Sequence, residues 1–202
     1  VFWGRLTAVG SPRSEAGPVL DQGNDLSNLP KVSIVVPLFN DEEHVAAAID
    51  SCLRQSLQEI EIICVDDAST DSTPRIVAEY AARDDRVTLI RQPHNQSAFQ
   101  ARKVGVEAAA APFLMFLDGD DELAPVAAET ALNTAKRSHA DLVGFGVEIV
   151  TQDGDAHPRR FETALQPKHS VLVGPEIVPA LFPVGQVANG HLWRYLFATH
   201  LV

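Results

Sequence analysis

Apolar and polar positions fall into short, regular blocks after residue 30 of this chain, and into none before it. "KVSIVVPLF", from Lys31, is a β-branched apolar run closed near Pro37, as a buried strand would be. "DEEHVAAAIDSCLRQS" sets Val45, Ile49, Cys52 and Leu53 at helical spacing, which predicts an amphipathic helix with acids in its first turn. "EIEIICVDD" alternates and then turns continuously apolar, a second strand. "STDSTPRIVAEYAARDD" opens with capping residues and places Pro74 at the first helical position, with Ile76, Val77 and Tyr80 on one face. The same alternation continues through a third strand in "RVTLIRQ", a third helix in "SAFQARKVGVEAAAA" and a fourth strand in "PFLMFLD". A fourth helix, "APVAAETALNTAKRSHA", and a fifth strand, "DLVGFGVEIV", complete the run. Trp193, Tyr195, Leu196 and Phe197 are expected to bury a last helix. Strands alternating with helices of about 10 to 15 residues predict an α/β, mostly parallel sheet covered on both faces.

Residues 1–30 read differently. Gly, Pro, Ser, Asn and Asp without periodicity predict a linker or N-terminal extension there. The chain looks like a piece of a longer protein, and its first residues have no leader pattern.

Composition narrows the partners. A net charge of −11 over 202 residues excludes a nucleic-acid backbone as the main partner, which needs a basic surface. An acidic protein still binds a polyphosphate when a cation sits between the two. Cys52 and Cys64 lie in apolar stretches and are expected as buried free thiols, which suits the cytoplasm. No run approaches the roughly 18 apolar residues of a spanning helix. Membrane-surface association, at the inner face, is therefore expected only through regions outside this chain.

The acids sharpen the picture. Asp41, Asp66, Asp67, Asp118, Asp120 and Asp121 all fall where predicted strands end, and open parallel sheets bind ligands at those ends. Any one of them reads first as a helix cap or turn residue. Two separate clusters at strand ends point instead to a shared cation, and hard oxygen ligands suit Mg²⁺ or Mn²⁺. Asp118-Gly119-Asp120 is an Asp-x-Asp directly after a buried strand, with Gly119 expected to permit the tight turn.

With these motifs in order, "VSIVVPLFNDEEHVAAAIDSCLRQSLQEIEIICVDDASTDST" resembles the opening of the family 2 glycosyltransferases, and "HNQSAFQARKVGVEAAAAPFLMFLDGDDEL" resembles their middle section. The resemblance implies the GT-A fold, with a nucleotide-sugar-binding core over 31–155 and the beginning of an acceptor-side region over 156–202. It implies inverting, metal-assisted transfer of a sugar from a nucleotide-sugar, most often a UDP-sugar, to an acceptor hydroxyl. A glycan, a lipid-linked carrier or a polymer would be the acceptor. By the family pattern, Pro37 and Asn40 form the first nucleotide-binding turn, and Asp67, with Asp66 beside it, follows strand two to meet the base. Arg102 matches the arginine of the family's "ARN-x-G" segment, and Asp118 and Asp120 match the ribose- and metal-binding Asp-x-Asp.

Two departures stand out. The family's base carboxylate follows a segment like "NGHLWRYLFATHLV", which puts the catalytic base beyond Val202; Asp153, Asp155, Glu162 and Glu176 sit in no motif. Lys103 and Val104 replace the usual Asn and its neighbour, and Gln96-Ser97 stands where a glycine is common. The alternative is a glycosyltransferase-like module that binds nucleotide-sugar without turnover. A phosphatase of the haloacid-dehalogenase fold also has an Asp-x-Asp, but after its first strand, whereas here it follows the fourth. The seven histidines show no metal-ligand spacing and read as surface or satisfied core residues.

Overall fold

The computed structural model describes the backbone of residues 7–9, 29–150, 156–161, 171–172 and 195–202, and the side chains of 29–146 and 195–202. The regular run begins with β2 (Val32–Leu38), α1 (Val45–Leu53), β3 (Ile60–Asp66), α2 (Thr73–Ala81) and β4 (Val87–Arg91). It continues through α3 (Ala98–Ala108), β5 (Phe113–Phe116), α4 (Ala127–Ser138) and β6 (Leu142–Gly144). Every residue of β2 is buried, as a central strand with helices on both faces must be. Ile34, Val36 and Leu38 join the core under α1, α2 and α4, while Val35 meets the face covered by α3. That split follows from the two-residue side-chain period of a strand.

The sheet runs in the order β4-β3-β2-β5-β10-β6-β1-β9, where β1 is Thr7–Val9, β9 is Val171–Leu172 and β10 is Tyr195–Ala198. β2 pairs in parallel with both β3 and β5, and β3 in parallel with β4. The chain builds outward from β2 to β4 and then crosses back to place β5 on the other side of β2. Strand order therefore reverses between β2 and β5, and ligands of open α/β sheets bind at such a reversal. The mostly parallel α/β architecture expected from the pattern is present.

Four local expectations need correction. The single fifth strand is two: β6 stays in the main sheet, while β7 (Val147–Val150) leaves it to pair with β8 (Ala156–Phe161). The last helix expected around Trp193–Phe197 is strand β10 over its described part, antiparallel between β5 and β6. A four-residue apolar run with aromatics fits either period, and the open edge of β5 decides it. Thr7–Val9, within the expected linker, pairs with β6. Glu42 and Glu43 precede α1 rather than filling its first turn, and Glu42 instead accepts the Ser72 N–H at 2.8 Å.

Two contacts set the working end of the sheet. Gly105 brings α3 against β2 so closely that a Cβ there would lie 2.3 Å from Val35 Cγ1, and this closeness carries Arg102 to the end of β2. Behind the acid turn, Ser51 Oγ accepts the Leu123 N–H at 3.0 Å and Gln55 Oε1 accepts the Ala128 N–H at 3.0 Å. Gln55 Nε2 also donates to Ala124 O at 2.7 Å, so Ser51 in the last turn of α1 and Gln55 just beyond it hold the segment leading into α4. Among the described residues no helix is long and apolar enough to cross a membrane. Cys52 and Cys64 are buried and unpaired by any disulfide, and burial pushes both thiols up, Cys52 to about 12.

Candidate active site

A cleft of about 350 Å³ opens at the reversal point, lined among others by Pro37, Asp41, Asp67, Arg102, Asp118 and Asp120. Its floor is the carboxyl ends of β2 and β5, and its side wall is the segment leading into α3. Five of the seven residues expected to bind donor or metal share this cleft: Pro37, Asp67, Arg102, Asp118 and Asp120.

The other two do not line it. Asp66 is fully buried, with Oδ2 accepting from Arg91 Nε at 3.2 Å and Oδ1 from the Ser69 N–H at 3.2 Å. Successive strand residues point to opposite faces, so Asp66 and Asp67 cannot both enter one site. Asn40 adopts φ 58°, a left-handed conformation that asparagine tolerates, and its Oδ1 accepts the Thr70 N–H at 2.9 Å. It ties the loop after β2 to the loop after β3 instead of lining the cleft.

Asp67 is 2% exposed and held by three donors. Oδ1 accepts from the Gln96 N–H at 2.8 Å and Gln92 Nε2 at 2.9 Å, and Oδ2 from the Ser97 N–H at 2.8 Å. Ser97, in the position where a glycine is common, adopts φ 91°. Its departure from the family pattern marked the strained point of this wall, although Gln92 and Asn95 carried no sequence signal. The other cluster is held far less. Arg102 Nη2 pairs with Asp118 Oδ1 at 2.5 Å, and Arg102 Nε is buried without a hydrogen-bond partner among the described residues. Asp120 is exposed and, among the described residues, has no ion pair or hydrogen bond to its carboxylate.

Repulsion shows in the neighbours. Burial and the charges of Asp120 and Asp118 push the Asp121 carboxyl up to about 6. Asp41 is raised as well, by burial first; the Phe39 N–H bond opposes this, and the charges on Asp120 and Asp71 add to it. Gly119 sits where a Cβ would lie 2.7 Å from Leu38 Cδ2 and 2.9 Å from Asp41 Oδ2. Close approach, rather than the turn geometry expected, is what demands glycine there.

The donor set fits a divalent cation in one particular way. Among the described residues no group of three or more His, Cys, Asp or Glu could hold a metal alone. Two hard carboxylates on one turn suit a cation that takes its remaining oxygens from a ligand's phosphates and water. His44, His94, His139 and His200 are exposed, as surface histidines were expected to be. Asp153, Asp155, Glu162, Glu176 and Trp193 lie outside the described residues.

Comparison with known proteins agrees with this architecture. The family model described as Glycosyl transferase family 2 matches residues 33–187. The chain belongs to that family. It is 34% identical over 175 residues to Uncharacterized glycosyltransferase EpsJ of Bacillus subtilis (strain 168), covering 86% of this chain and 49% of that protein. It is 33% identical over 128 residues to GalNAc(5)-diNAcBac-PP-undecaprenol beta-1,3-glucosyltransferase of Campylobacter jejuni, covering 63% of this chain and 41% of that one. The chain thus spans about half the length of such family 2 relatives. The crystal structure of S. aureus TarS 1-349 in complex with UDP superposes with a TM-score of 0.61 at 22% identity, over 85% of this chain and 47% of that chain. At that identity the match speaks to the fold, which is that of a GT-A glycosyltransferase.

Proposed function

We propose that this chain binds the nucleotide-sugar donor of an inverting glycosyltransferase, across the ends of β2, β3 and β5. The observation that carries the reading is the cleft at the strand reversal, where Asp67 follows β3 while Asp118 and Asp120 follow β5, with β2 between those strands. A nucleoside diphosphate has a base at one end and a dianionic phosphate pair at the other. Asp67 suits the first and the Arg102 edge the second. Arg102 Nε is a buried donor without an acceptor, and a phosphate oxygen supplies one. Asp118 and Asp120 would hold Mg²⁺ or Mn²⁺ against the diphosphate, and that cation, when bound, stabilises charge on the departing phosphate. Arg102 contributes to the same stabilisation from the protein side. Pro37 lends the end of β2 as a rigid floor. The acceptor is a hydroxyl of a glycan, lipid-linked carrier or polymer, and inversion calls for a base that deprotonates it from the opposite face. Two buried thiols suit a reducing compartment, so we place the reaction in the cytoplasm.

Calorimetry of the chain with UDP and with GDP, each with and without Mn²⁺, tests the reading. UDP is expected to give heat that depends on Mn²⁺. No metal-dependent heat from either nucleotide would overturn it.

A further inference from the structure

Gln92 is the first residue beyond β4, and it is buried. Its N–H donates to Asp66 O at 2.9 Å, which continues the β3–β4 pairing one step past Asp66 and Arg91. This sets Gln92 beside Asp67, where Nε2 donates to Oδ1 at 2.9 Å. Gln92 Oε1 accepts in turn from Gln96 Nε2 at 2.8 Å. The Asp67 carboxylate, which only accepts, fixes which way the Gln92 amide stands, and this leaves Gln92 Oε1 free to accept from Gln96. With the Gln96 and Ser97 N–H groups also bound, three of the four acceptor positions on Asp67 are taken. The one left is on Oδ2, the oxygen that Gln92 does not touch.

We propose that Gln92 is a positioning residue, its amide locking the Asp67 carboxylate so that the remaining acceptor position on Oδ2 meets a ring N–H of the donor's nucleobase. The inference rests on the nucleotide-binding reading above. Gln92 itself touches no ligand. It acts through Asp67, whose third donor it supplies, and Gln96 acts one step further out by orienting Gln92. The strained Ser97 belongs to the same device: its φ of 91° is retained because its N–H is pinned to Oδ2. Without the side-chain donor, Oδ1 keeps only its bond from the Gln96 N–H, the carboxylate is held by two donors instead of three, and the base meets a less firmly fixed acceptor.

The test separates the base from the phosphates. Binding of UDP and of inorganic pyrophosphate, each with Mn²⁺, is measured for the wild-type chain, Gln92→Met and Gln96→Ala. Gln92→Met keeps the length of the side chain and removes its donor; it is expected to weaken UDP about ten-fold. Pyrophosphate, which has no base, is expected to bind all three proteins equally. Gln96→Ala removes an amide from an exposed residue, so the chain still folds, and it is expected to weaken UDP by a smaller factor. Unchanged UDP affinity in both variants overturns the inference and leaves the nucleotide reading standing. Equal losses for UDP and pyrophosphate overturn it too, because they mean the wall has loosened as a whole. A wild-type chain that binds no UDP overturns both.

Discussion

The acids on the two sides of the cleft, Asp67 and the pair Asp118 and Asp120, are built on opposite principles. Asp67 is buried and takes three hydrogen bonds from its own protein, so its charge is compensated before any ligand arrives. Among the described residues Asp118 and Asp120 have between them one ion pair, to Arg102, and they stand beside Asp121 and Asp41, both of which are pushed toward protonation. The first is a finished piece of architecture. The second is an electrostatic deficit held open by the surrounding fold, and a cation would close it. A buried carboxylate without donors would be ruinous, whereas a partly exposed one without donors is tolerable and is useful for binding.

The contrast predicts opposite responses to the same substitution. Asp67→Ala removes the acceptor for two backbone N–H groups and for Gln92, and is expected to cost about 2 kcal/mol of stability. Asp120→Ala removes an exposed charge from a repelling cluster and is expected to change stability by less than about 0.5 kcal/mol while abolishing the response to Mn²⁺. Urea unfolding of both variants, with metal titration of the second, checks the pair. An Asp120→Ala chain as unstable as Asp67→Ala would erase the distinction.

Gly119→Ala should act between these extremes. The new Cβ meets the far ends of two side chains, Leu38 Cδ2 and Asp41 Oδ2, which can give way. The stability cost is expected near 1 kcal/mol. The larger consequence falls on Asp41, which loses its place against the Phe39 N–H at 2.8 Å, and on the acid turn beside it. Weaker Mn²⁺-dependent nucleotide binding, with only a small drop in melting temperature, is the expected result. Unchanged binding would mean that the close approach at Gly119 matters for packing alone.

The comparison also explains what could be read from the sequence. Strand ends and helix starts were legible because period 2 and period 3.6 differ so sharply over β2, β3, α3 and α4. The Asp-x-Asp was legible because it stands at such an end. What escaped was direction and distance. Asp66 and Asp67 look equivalent in a row of letters, yet their bonds turn one to Arg91 and the other to Gln92. Strict alternation carried that information. Asn40 looked like a ligand-facing residue, but the left-handed turn at φ 58° points its amide to Thr70. β10 escaped for a different reason: its pairing with Phe113–Met115 spans some eighty residues of chain, and no local pattern encodes it.

The smallest predicted effect probes the deficit itself. Asp121 has its carboxyl pushed up to about 6 by burial and by the charges of Asp120 and Asp118, against an ordinary value of 3.8. The folded, metal-free chain therefore holds a proton at Asp121 that the unfolded chain has lost between those two values. Stability from this group is fully present below pH 3.8 and is lost as the pH rises through about 6. Asp121→Asn removes the titration, so its stability relative to the wild type should climb across that window and level off above it. Thermal melts of both proteins in EDTA at half-unit steps of pH would show the convergence on the acid side. Parallel curves would mean that Asp121 does not feel its neighbours, and the turn would then be no more of a deficit than the finished site at Asp67.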